Sequence, residues 1–169
     1  MKNIVLVGFM GTGKTRIAKM LSERLNMDYV STDDLVEEKE KTPISEIFSK
    51  KGEDYFRRAE KYAVKKASLM ENIVLDTGGG VVIDPENVEN LKKNGVVICL
   101  WAEPEIILER TKRYAHRPLL NVDSPLGKIK ELLAIREPFY KRAGYHIDTS
   151  KMSAEQVADE IERIAGRCT

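Results

Sequence analysis

Gly8-Phe9-Met10-Gly11-Thr12-Gly13-Lys14-Thr15 fits the pattern G-x-x-x-x-G-K-[ST], and its flanks decide what it is. Before it runs Asn3-Ile4-Val5-Leu6-Val7, a short apolar run of the kind that forms a buried strand. After it comes Arg16-Ile17-Ala18-Lys19-Met20-Leu21-Ser22-Glu23-Arg24-Leu25, apolar at 17, 18, 20, 21 and 25, which is helical spacing. Strand, glycine-rich loop and helix in that order make a phosphate-binding loop. Its glycines allow a tight turn with N–H groups against a phosphate, and the helix N-terminus adds the positive end of its dipole. Lys14 can reach the β- and γ-phosphates of a nucleotide, and the Thr15 hydroxyl can ligate Mg2+. An ordinary glycine-rich turn is the bland alternative, and the flanks argue against it.

Working outward, strand and helix signals alternate along the whole chain. Met27-Asp28-Tyr29-Val30 reads as a second strand, with Ser31-Thr32-Asp33-Asp34 at its end. Helical spacing follows from Leu35 to Ser49, broken at Thr42-Pro43, where Thr42 is a candidate N-cap and Pro43 suits the first turn. Gly52 breaks the chain again before an amphipathic helix over about 54–70. Ile73-Val74-Leu75 is a third strand that runs into Asp76-Thr77-Gly78-Gly79-Gly80. Asp84-Pro85 starts another helix. Val96 to Trp101 is a β-branched fourth strand. Pro104 opens a helix to about Lys112, and Arg113 to Pro125 lacks a period and reads as a loop long enough to be a mobile lid. Gly127 to Arg142 is helical, with an interruption expected near Pro138. Tyr145-His146-Ile147-Asp148 is a fifth strand, and Ser153 caps a last helix to Ala165. The fold expected is a single α/β domain over residues 1–169, a five-stranded parallel sheet with helices on both faces. Two regions, about 34–60 and 113–124, exceed a minimal βα repeat and are the places to expect substrate binding and closure.

Composition narrows the function classes. With 169 residues the chain can bury a proper core, and 42% hydrophobic with 33% charged residues describes a soluble protein. A net charge of +1 gives no basic field for nucleic acid or an anionic membrane. No apolar run approaches the ~20 residues that span a bilayer, and no signal-peptide pattern precedes the first strand. Cys99, in an apolar run, reads as a buried free thiol and Cys168 as exposed. A reducing cytoplasm suits the pair, and a zinc site does not.

Three features beyond the loop carry candidate chemistry. Asp33, at the end of the second strand, either orients an acceptor hydroxyl and takes its proton or caps the helix that follows. Asp34 reads as a solvent-facing residue of the first turn. Arg57, Arg58, Arg117 and Arg136 form a set suited to a carboxylate or to phosphoryl charge, against the usual reading of an arginine as a solvated helix face. Gly78-Gly79-Gly80 costs backbone entropy, which is recovered where a ligand approaches the main chain; a merely flexible loop is the alternative.

With these residues in hand, the chain resembles the shikimate kinases over nearly its full length. Gly8 to Thr15 is similar to that family's form of the phosphate loop, and Phe56-Arg57-Arg58-x-Glu60 to its F-R-x-x-E segment. Thr77-Gly78-Gly79-Gly80 matches its glycine triplet, Arg117-Pro118-Leu119-Leu120 its lid signature, and Arg136, Pro138 and Tyr140 its R-x-P-x-Y. The resemblance implies a P-loop kinase fold of the nucleoside-monophosphate-kinase type, three-layer α/β/α. It implies transfer of the γ-phosphoryl of ATP to the 3-hydroxyl of shikimate, with Mg2+; a monomer is the expectation, though no residue pattern speaks to oligomeric state. Lys14, Asp33 and Arg117 would then be catalytic. ATP would lie on Gly11, Thr12, Gly13, Lys14, Thr15, Arg16, Arg110 and Arg117, with Arg110 near the adenine. Asp33, Arg57, Gly78, Gly79, Gly80 and Arg136 would hold shikimate, the two arginines on its carboxylate.

There are two departures. The family's D-x-D at the end of the second strand reads Ser31-Thr32-Asp33 here, and Asp76 stands at the end of the third strand, where the family commonly has a small residue. Position 76 is the usual acid position of other P-loop proteins, so Thr15 and Asp76 are the expected metal-side residues, Asp76 supplying the carboxylate that position 31 lacks; the alternative is that Asp76 serves only to orient Lys14 or Thr15. The segment Thr149 to Ser153 lacks the family's usual adenine contact. Competing readings are a kinase for another hydroxy acid such as gluconate, a nucleotide-binding regulatory module, and an inactive relative.

Overall fold

The structure is a computed structural model that describes residues 2–112 and 122–167. Strand β1 (Asn3–Gly8) is buried at every position, as its unbroken apolar run requires. The other strands are β2 (Asp28–Ser31), β3 (Ile73–Asp76), β4 (Gly95–Trp101) and β5 (Tyr145–Asp148). All pair in parallel in the order β2-β3-β1-β4-β5. The helices between them are α1 (Lys14–Leu25), α2 (Thr32–Glu40), α3 (Ile44–Lys51), α4 (Glu53–Ser68), α5 (Pro85–Asn94), α6 (Pro104–Lys112), α7 (Pro125–Ala143) and α8 (Ala154–Gly166).

Alternation along β1 divides the core into two layers. Ile4 and Leu6 pack with Ile17 and Leu21 of α1 and Val157 and Ile161 of α8. Val5 and Val7 face the other way, onto Val64 of α4, Leu91 of α5, Ile107 of α6 and Leu133 of α7. A smaller cluster of Val36, Ile47, Phe56, Ala59 and Ala63 lies beneath α2 and α3 and props that insertion against the body. The loops after β1 and β4, which are neighbours in the sheet, lead to opposite faces. A crevice opens between such loops at the C-terminal edge of the sheet.

Some expectations need correction. The second and third strands each run one residue further than expected, to Ser31 and Asp76, and these two ends are partners in register. Thr42 does not cap α3: Pro43 holds the N-cap position with no side-chain bond, the Ile44 N–H donates to Glu37 Oε1 at 2.8 Å, and the Thr42 hydroxyl turns to Glu46 Oε2 at 3.0 Å. Helix α7 runs unbroken through Pro138. Its buried residues Ile129, Leu133, Tyr140 and Ala143 hold both halves to the sheet, while Pro138 and Ala134, whose carbonyl loses its partner to the proline, lie on the exposed side within reach of water. Among the described residues no helix is long and apolar enough to cross a membrane. Arg117-Pro118-Leu119-Leu120, most of the expected lid and Cys168 lie outside the described residues.

Candidate active site

The phosphate loop closes around its own lysine. Gly13 has φ 97°, which only glycine adopts without strain, and it turns the chain into α1. Lys14 is buried, and its Nζ donates to the carbonyls of Gly8 at 2.8 Å and Phe9 at 3.0 Å. The Thr12 hydroxyl donates to the Phe9 carbonyl at 2.8 Å, which pins the loop from within.

The Thr15 hydroxyl donates to Asp76 Oδ2 at 2.6 Å. That oxygen also lies 3.3 Å from the Tyr29 hydroxyl. Burial, followed by Asp76 and Asp34, pushes the Tyr29 phenol up to about 12. A hydroxyl and a carboxylate side by side are hard oxygen donors that fit Mg2+, which is held through one or two protein oxygens plus phosphates and water. Among the described residues no three His, Cys, Asp or Glu gather into a larger metal cage.

Ser31, standing where the resemblance leads one to expect an acid, caps α2: its Oγ accepts from the Asp34 N–H at 3.2 Å. Asp33 is therefore not the cap. It sits in the first turn, with its carboxylate on the cleft. Desolvation and then the neighbouring Asp76 raise its pKa above the usual aspartate value, with the Lys14 ammonium pulling the other way. Asp34 is exposed, as expected.

The glycine triplet is the meeting point of the remaining candidates. A methyl group built on Gly78 would come within 3.0 Å of both Asp33 Oδ1 and Glu60 Oε2. One built on Gly79 would lie 3.5 Å from Arg136 Nη1 and 3.6 Å from the Gly8 carbonyl, and one on Gly80 would strike the Arg57 guanidinium. So Arg57 from α4 and Arg136 from α7 close on one short loop, and that loop adjoins the carbonyl that accepts from Lys14. Arg136 rests over the Phe9 ring at 5.7 Å. Arg58 does not join them: it is exposed and leans over Tyr55.

The sequence by itself assigned no role to four contributors, although Glu60 stands in its F-R-x-x-E segment and Thr149 in the stretch after the fifth strand. Glu60 is buried and binds Arg57 Nη1 at 2.8 Å, while its other oxygen has no partner among the described residues. Burial raises the Glu60 pKa and the Arg57 charge opposes the rise. The i,i+3 spacing from Arg57 was the available signal. Thr32 accepts from the Gly78 N–H at 3.0 Å. Tyr29 leaves no local signal, since a tyrosine in a strand is ordinary. Thr149, buried after β5, has its hydroxyl 3.0 Å from Arg110 Nη1, 3.0 Å from the Trp101 carbonyl and 3.3 Å from the Thr12 carbonyl. Arg110 also donates to the Thr149 carbonyl at 2.9 Å and to the Gly11 carbonyl at 3.4 Å.

A cleft of about 970 Å³ runs from Gly79 and Asp33, past Lys14 and Arg16, to Arg110 and Met152; Arg57 and Arg136 do not line it but meet the glycine triplet at its end. The family model described as shikimate kinase matches residues 10–165. The chain belongs to the shikimate kinase family. It is 52% identical to the shikimate kinase of Thermoanaerobacter pseudethanolicus over 95% of this chain and 94% of that one. It is also 52% identical to that of Caldanaerobacter subterraneus subsp. tengcongensis, over 96% and 95%. The solved structure of shikimate kinase from Acinetobacter baumannii in complex with shikimate superposes with a TM-score of 0.93 at 36% identity, covering 100% of this chain and 95% of that one. The phosphate loop and the glycine triplet adjoin at Gly8, whose carbonyl accepts from Lys14 and would lie 3.6 Å from a methyl group built on Gly79.

Proposed function

We infer that this chain transfers the γ-phosphoryl of ATP to the 3-hydroxyl of shikimate, giving shikimate 3-phosphate and ADP. The observation that carries this reading is the convergence of Arg57 and Arg136 on a glycine loop that touches the phosphate loop. Two guanidiniums suit one carboxylate by paired N–H···O bonds. The carboxylate of Asp33 beside them suits a ring hydroxyl, which it orients and from which it accepts the proton as the O–P bond forms. Lys14 leaves its two carbonyls for the β- and γ-phosphate oxygens and stabilises charge on the transferred group. The N–H groups of Gly11, Thr12, Gly13 and Arg16 would bind the same phosphates, and Arg110 would take the adenine side. By the resemblance, Arg117 comes in over the transferred phosphoryl.

Mg2+ would supply charge neutralisation between the β- and γ-phosphates when bound. Thr15 would hold it directly and Asp76 through the Thr15 hydroxyl or a water. Asp76→Ala should therefore raise the Mg2+ concentration needed for half-maximal turnover, and an unaltered Mg2+ dependence would remove Asp76 from this role. Both substrate cups come from one chain, so the reading is of a monomer in the cytoplasm, where ATP is abundant; gel filtration checks the first point.

ADP release, coupled to a reporter, tests the function. Shikimate should stimulate it at least a hundredfold over water. Stimulation by gluconate and not by shikimate would move the acceptor assignment. No stimulation by either would leave a nucleotide-binding module or an inactive relative.

A further inference from the structure

Tyr140 is the largest side chain buried below 2% exposure, and nothing in the reaction as drawn uses it. Its hydroxyl donates to the Gly79 carbonyl at 2.6 Å across 61 residues of sequence. It stands one helical turn from Arg136 on the same face of α7, and the Arg136 charge is felt at the phenol.

The rest of the triplet shows what this bond does. The Gly78 N–H donates to Thr32 Oγ1, the Gly78 carbonyl accepts from the Val81 N–H at 3.2 Å, and the Gly80 carbonyl accepts from the Ile83 N–H at 3.1 Å. The Gly79 carbonyl is the remaining one, and Tyr140 takes it. A peptide unit is planar and trans, so fixing the Gly79 carbonyl fixes the Gly80 N–H on the opposite side of the same plane. Three successive glycines have no steric preference that would hold that plane by themselves. Ordering them only when the acceptor arrives would subtract from its affinity.

We propose that Tyr140 is a positioning residue for the acceptor: its hydroxyl locks the Gly79–Gly80 peptide and ties it to the helix that carries Arg136. Guanidinium and loop N–H groups then meet the acceptor as one preformed surface. This rests on the reading of the cup as the shikimate site.

The test is Tyr140→Phe, which keeps the buried ring and removes the hydroxyl, and with it both the bond to the Gly79 carbonyl and the contact with Arg136. Shikimate binding is measured by calorimetry without nucleotide, ADP binding separately, and KM and kcat by ADP release. The expected result is about a tenfold weaker shikimate Kd and a matching rise in its KM, about 1.4 kcal/mol, with ADP affinity within twofold of the unaltered chain. Equal loss for both ligands, or a shikimate Kd within twofold, overturns the proposal. If Tyr140→Phe does not fold, the unaltered chain decides by NMR: the Tyr140 hydroxyl proton should exchange slowly and slow further on adding shikimate. Exchange indifferent to shikimate overturns it. A failure of shikimate to bind the unaltered chain would instead sink the proposed function, so the two failures are distinct.

Discussion

Asp33 reaches solvent at the cleft, yet the protein around it thins its hydration; that desolvation and then Asp76 disfavour its charge, so it holds its proton more tightly than a free aspartate. A native pKa above the unfolded value gives stability that is present below about pH 3.9 and is lost as pH rises through the raised value. At neutral pH the ionised residue thus weakens the fold that depends on it for chemistry. Asp33→Asn should raise Tm slightly at pH 7, since solvent at the cleft screens the charge, while lowering kcat by roughly 10²–10⁴, and its Tm advantage should shrink as the melts are moved down towards about pH 3.9. Arg57 has a second duty, since it is the partner of a Glu60 carboxylate that is only 2% exposed. Arg57→Ala should therefore cost about 3 kcal/mol of stability in urea unfolding, because it strands a buried charge. It should also raise the shikimate KM more than tenfold and spare that for ATP. Adding Glu60→Gln should recover most of the stability and none of the KM. Recovery of KM as well would mean that Arg57 acts only through the fold. The arginine was legible as a candidate from its place after Phe56, but its dependence on Glu60 was not. That depends on how deeply α4 is buried, which no single residue declares.

The elements follow local chemistry closely where side chains speak for the backbone. Ser153 and Gln156 form the capping box that opens α8, and Asp84 caps α5 through the Glu86 N–H. Their acceptors reach N–H groups two or three residues ahead, so sequence spacing is enough. Local rules misled at Thr42 and at Pro138, where packing overrode them. In α7 the proline removes one helical bond, a loss of roughly 3 kcal/mol relative to alanine in a helix interior. It returns up to about 1 kcal/mol by stiffening the unfolded chain, and solvent at the exposed Ala134 lessens the remainder. Pro138→Ala should accordingly stabilise by about 1–2 kcal/mol, read as a rise in Tm of roughly 2–8 °C. A fall in Tm would show that the proline ring contributes packing that outweighs the restored bond.

At the scale of the molecule, the cleft should couple to folding. Nucleotide at 100 times its Kd should add about 2.7 kcal/mol of stability, which is a Tm rise of roughly 5–10 °C for a chain of this length. With Mg2+ removed by EDTA the shift should shrink and shikimate-dependent ADP release should stop. A nucleotide-induced shift of the same size in EDTA would speak against Thr15 and Asp76 as the metal side. The alternation of five strands with helices, the phosphate loop and the arginine and glycine candidates were all present in the sequence. Each is written in residues close enough along the chain to fix local geometry: an apolar run, a helical period, a glycine where φ must be positive. Strand order is another matter. Placing β3 between β1 and β2 sets Asp76 beside Ser31 and under Thr15. Bringing α4 and α7 to opposite sides of one loop gives Gly79 both Arg136 and Tyr140, and Gly80 its Arg57. Those contacts join residues dozens of positions apart. They exist only because burying both faces of β1 leaves the helices few places to go, so the tertiary structure alone decided them.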